Sequence, residues 1–104
     1  MTTSLTAYES AKFAQVARRV KEYSLEVGNL VTSSGNKDSR TAAGHLFLAL
    51  MNELSTDSDI SLNALNNGLR MSQIKADSTQ VTQAAQLQAQ FLVYVYSSAI
   101  AERG

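Results

Sequence analysis

From Ser78 to Ala101 the chain carries no charged residue over 24 positions. The run opens on glutamine and alanine and reaches Phe91-Leu92-Val93-Tyr94-Val95-Tyr96, six large side chains with no polar break. As a helix it is about 36 Å long, and those six residues point in every direction around its axis. A helix that is apolar on all sides has to be covered on all sides. Each large side chain left in water forfeits roughly 1.5–3 kcal/mol. The chain is therefore limited to folds that wrap this helix or pair it with another. Phe91–Tyr96 alone has strand propensity, but its lead-in favours helix and no second strand is available to pair with it. One face holds Ala84, Leu87, Phe91, Tyr94 and Ala101, and the adjacent face holds Val81, Ala85, Leu92, Val95 and Ala99. Asp77, with Gln80 three residues later, reads as the capping signal at its start.

The N-terminal half carries a clear helical stripe. Phe13, Val16, Val20, Tyr23, Val27 and Leu30 are spaced alternately by three and four residues, the pattern of a helix laid along another helix. Thr6-Ala7-Tyr8-Glu9 reads as a capping box ahead of it. Thr32-Ser33-Ser34-Gly35-Asn36 should end it, with Gly35 as the left-handed residue. A second helix, about 41–54, shows Ala43, Leu46, Phe47, Leu50 and Leu54 on one face, with Asp38, Ser39 or Thr41 available to cap it. Leu62, Leu65 and Leu69 predict a shorter helix over about 61–72, interrupted by Asn66-Asn67-Gly68. The flanks of Asn67-Gly68 do not alternate, which argues against a hairpin there. The absence of proline suits long helices. The expected fold is all-α: one domain over 1–104, with two long antiparallel helices (about 6–33 and 78–102) and one or two shorter ones between.

Composition excludes several classes of function. Nine basic and nine acidic residues balance to zero, so no basic excess points to nucleic acid or an anionic membrane surface. No cysteine is present for a disulfide or a thiolate metal site. The apolar run at 91–96 is far shorter than the roughly 20 residues of a membrane helix. MTTSLTAYES has neither a basic n-region nor an apolar h-region, so no cleaved secretory signal is expected. The expected location is the cytoplasm, or outside the cell by export without a cleaved signal.

The candidate chemical groups are few. His45 is the single histidine, and Gly44, Leu46 and Phe47 beside it offer no carboxylate or nucleophile, so it reads as a helix residue at the edge of the core. Asp57-Ser58-Asp59 opens like a calcium loop. Leu62 then stands where glycine belongs and Gly68 where glutamate belongs, so it reads as a solvated acidic loop. Arg18-Arg19-Val20-Lys21 is offset by Glu22 and Glu26 on the same helix. No phosphate-loop, dinucleotide, nucleophile-elbow or zinc-protease motif is present. No catalytic, cofactor-binding or metal residues are expected.

The glutamines at 80, 83, 86, 88 and 90 are good helix formers without charge. Copies of such a helix pack side by side without like-charge cost, and each amide both donates and accepts. The bland alternative is an uncharged helix docked on its own bundle. The segment KADSTQVTQAAQLQAQFLVYVYSSAIA resembles the C-terminal half of small type III secretion needle and inner-rod subunits. Asp77-Ser78 would be the turn, Gln86 to Gln90 the glutamine part, and Tyr94 and Tyr96 the aromatic part. The chain departs from those families in lacking the proline of the turn, in its length and in the helix at 41–54. The resemblance implies a small all-helical subunit that packs against copies of itself.

The expected function is accordingly non-catalytic self-association through the C-terminal helix. Phe91, Leu92, Val95, Tyr96, Gln86 and Gln90 would form the interface, while Val20, Tyr23 and Val27 close the intramolecular side. The alternative is an adaptor or chaperone-like module that takes a heterologous helix in an apolar groove. An enzyme or ligand-binding bundle centred on His45 ranks last.

Overall fold

In the computed structural model, residues 4–33 and 38–104 are described. Five helices follow one another: α1 (Ala7–Glu22), α2 (Ser24–Thr32), α3 (Ala42–Thr56), α4 (Leu62–Ala76) and α5 (Gln83–Arg103). No strand occurs among the described residues. The domain is all-α as expected, but its organisation differs. α5 is a hub: it packs most extensively on α4, then on α3 and α2, and least on α1. The expected pairing of the N- and C-terminal helices is thus replaced by a helix wrapped by its own chain. That wrapping meets the covering requirement set by the uncharged run.

Local signals account for the helix starts. Thr6 and Glu9 form the capping box, with the Glu9 N–H donating to Thr6 Oγ1 at 3.1 Å and the Thr6 N–H donating to Glu9 Oε1 at 2.9 Å. Of the three cap candidates for α3, Thr41 takes the role, accepting from the Gly44 N–H at 2.9 Å. Ser61 caps α4 through the Ala64 N–H, and Thr82, not Asp77, caps α5 through the Ala85 N–H. Asp77 instead closes α4 as its C-cap.

The single N-terminal helix expected over 6–33 is broken at Tyr23, which closes α1 and opens α2. Val27 still donates its N–H to the Tyr23 carbonyl at 2.8 Å, so the break is a kink. The apolar stripe survives it: Val16, Val20, Val27 and Leu30 are buried, while Tyr23 turns out towards solvent. The kink sets α2 against the first half of α5, where Gln88 Nε2 donates to Ser24 Oγ at 2.9 Å. The expected stop at Gly35 lies outside the described residues. α4 runs unbroken through Asn66-Asn67-Gly68, because Gly68 serves packing and not a turn.

The core joins Val16, Val20, Leu50, Leu54, Ile60, Leu65, Phe91 and Val95, among others. Phe47 meets Phe91 edge-on with ring centres 6.3 Å apart, and Phe13 meets Tyr96 likewise at 5.1 Å. Polar ties lock the periphery. The second Glu9 oxygen accepts from the Ser61 N–H at 2.9 Å, joining the starts of α1 and α4. Lys12 and Arg19 of α1 both reach Glu53 of α3, at 2.7 and 2.9 Å. Arg103, in the last turn of α5, donates to the carbonyls of Leu54, Ser55, Asp57 and Ile60, capping the end of α3 and the loop after it.

Candidate interaction surface

The covering of α5 decides where its expected interface residues lie. Phe91, Val95 and Tyr96 are buried in the chain's own core. They are not open to a second chain, and this corrects the interface expected from the sequence. Periodicity shows that a side chain must be covered but not which chain covers it. Leu92, Gln86 and Gln90 are half-buried. The Gln86 amide donates to the Ser78 carbonyl and ties down the turn that joins α4 to α5. The ring of protein around α5 is incomplete along one stripe. Gln83, Ser97 and Ala101 are exposed there, and Gln86, Gln90 and Val93 half-exposed, at the three- and four-residue spacing of one helix face.

Beside that stripe lies an apolar groove. α4 turns Ala64, Leu65, Gly68 and Ser72 towards α5. Small residues at three of those positions let the two helices approach closely. The next face of α4 carries Met71 and Ile74, each 60 % exposed. Together with Val81 from the turn and Ala89 and Leu92 from α5 they line a groove of about 390 Å³, with Lys75 at its edge. The walls are almost wholly hydrocarbon, and a groove of that kind rewards an apolar side chain from another molecule. The sequence reading passed over Met71 and Ile74. Their signal was legible: two large apolar residues three apart that fall off the Leu62–Leu65–Leu69 stripe.

Elsewhere the polar groups are committed to structure. His45 is exposed on α3. Among the described residues no three of His, Cys, Asp and Glu stand together as metal ligands would. Asp57 accepts from the Asp59 N–H at 3.0 Å and from the Tyr8 hydroxyl. The Tyr8 bond, then the Asp59 N–H, holds the Asp57 carboxyl below the usual carboxylate range. The Ser61 N–H, seconded by that of Thr6, does the same for Glu9. Desolvation would raise Glu53, but Lys12 and Arg19 outweigh it and the carboxyl is lowered. These are carboxylates held ionised by donors and cations, the opposite of a general acid poised near neutrality.

Compared with known proteins, the chain matches no family model, no curated protein and no solved structure. Among the described residues no helix is long and apolar enough to cross a membrane.

Proposed function

We propose that the protein is a non-catalytic interaction module whose working surface is the groove between α4 and α5, and that it receives an apolar helical segment of another protein chain. One observation carries this reading. Met71 and Ile74 stand in water on the wall of a hydrocarbon groove, although the same helix has a filled inner face. Two large apolar side chains side by side in solvent are disfavoured unless something covers them. The helix–turn–helix implied by the resemblance to needle and inner-rod subunits has its counterpart in α4, the turn at 77–82 and α5. Gln86, Gln90 and Leu92 stay in the proposal at the margin of the groove, whereas Phe91, Val95 and Tyr96 serve the fold.

The test is a ¹⁵N–¹H NMR titration of the labelled protein with a model amphipathic helix of leucines and glutamates. Resonance shifts grouped at residues 71–92, and lost in Ile74→Ser, support the groove. Shifts scattered over the surface, or none, refute it.

A further inference from the structure

The occupant of the groove can be read from the chain's own surface. Leu25 is 74 % exposed, more than any other large apolar residue among those described. It projects from α2 between Glu22 and Glu26, both exposed and without an ion pair among the described residues. The groove has the complementary character. Its apolar walls are flanked on α4 by Arg70 and Lys75, also exposed and also without an ion pair among the described residues. Between Ser61 and Ala101 the one acidic residue is Asp77, at the C-cap of α4. An apolar knob flanked by two carboxylates thus exists on the same molecule as an apolar groove flanked by two cations. From this match, and resting on the groove reading above, we infer that the groove receives Leu25 of a second copy of this chain, with Glu22 and Glu26 facing Arg70 and Lys75.

The geometry also sets the kind of assembly. α2 packs on α5 at Leu87 and Gln88, where a Cβ added to Gly28 would lie 3.5 Å from Leu87 Cδ1. The groove uses Ala89 and Leu92. Leu87 and Leu92 are about 140° apart around α5 at 100° per residue, so α2 and α4 occupy different sides of it. Knob and groove are separate patches. The contact is therefore head to tail, and each copy keeps one free knob and one free groove. Repetition closes a ring or extends a filament, according to the rotation between neighbours. The mixed charges orient the approach, and the association weakens as salt rises.

The experiment is light scattering behind a sizing column over a hundredfold range of concentration. The samples are the wild type, Leu25→Ser, Ile74→Ser and an equimolar mixture of the two variants. Both substitutions fall on exposed side chains, and far-UV circular dichroism verifies that each variant is folded. The wild type is expected to grow in mass with concentration. Each variant alone is expected to stay a monomer, with association at least about tenfold weaker. Their mixture is expected to form a 1:1 complex that grows no further, since one supplies the intact groove and the other the intact knob. A wild type of constant single-chain mass overturns the inference, as does assembly that persists in both variants. So does a mixture that stays monomeric, which is what a symmetric groove-to-groove contact would give. The model-helix titration separates the two failures: a wild type that stays monomeric yet binds the model helix at 71–92 sinks self-docking and leaves the groove reading standing.

Discussion

Gly68 of α4 lies directly under the ring of Tyr96 in α5: a Cβ added at Gly68 would sit 2.7 Å from Tyr96 Cε1 and 2.9 Å from Cζ. Tyr96 cannot easily retreat, because it is 3 % exposed and its other side meets Phe13. Burial pushes its hydroxyl well above the ordinary tyrosine range, so it stays neutral. Gly68→Ala should therefore lower stability. Replacing a helical glycine by alanine gains up to about 1 kcal/mol in propensity, whereas overpacking a filled site costs about 1–3 kcal/mol. Urea unfolding of the pair decides the sign, and a stabilised variant would show that the ring moves freely.

Val95→Glu separates core from interface. Val95 is fully buried, so an added carboxylate would be enclosed without a partner, one of the mechanisms behind losses above about 4 kcal/mol. The expected outcome is an unfolded chain by circular dichroism. Ile74→Glu, on an exposed position, should keep its helical signal and melt within about 0.5 kcal/mol of the wild type. A folded Val95→Glu would contradict the arrangement of the core.

Glu9 should make stability depend on acid. Its folded-state carboxyl is held below its unfolded value by the Ser61 and Thr6 N–H groups. Its contribution is then present above the ordinary carboxylate range and is lost as pH falls through the folded value. Glu53 and Asp57 are shifted the same way. Wild-type stability should fall as the pH drops from about 5 towards 3. Glu9→Gln should be less stable near neutrality, by about 1–2 kcal/mol, and should show a shallower acid slope. Thermal melts at a series of pH values read both.

Arg103 ties the end of α5 to the loop after α3 through four backbone carbonyls. Arg103→Met keeps much of the hydrocarbon stem and removes the donors, at a cost of about 1–3 kcal/mol. Arg103→Lys should recover little, because one ammonium cannot reproduce the planar fork. Hydrogen exchange should locate the loosening at residues 54–60 and 100–104. Uniform loss of protection along the chain would count against a local tie.

Glu53→Gln should cost less than about 1 kcal/mol, since its side chain is 35 % exposed and the pairs with Lys12 and Arg19 are screened. The difference from the wild type should narrow in 1 M salt, as melts at two ionic strengths would show.

By itself the sequence determined the elements and the class of fold. Local rules set the capping box at Thr6–Glu9, the cap at Thr41 and the stripes of α1 and α3. Those rules act within a few residues, so they are legible without the rest of the chain. The uncharged run at 78–101 also stated its requirement in full: the C-terminal helix must be covered. Only the tertiary structure decided what covers it. Phe91, Val95 and Tyr96 carry the same apolar character whether a neighbouring helix or a second molecule lies against them, because burial is non-directional. The kink at Tyr23 brings α2 onto α5, and Gly68 admits the Tyr96 ring. These two events turned expected interface residues into core and left Met71, Ile74 and Leu25 outside. Both are contacts between segments far apart in the chain, where periodicity carries no information.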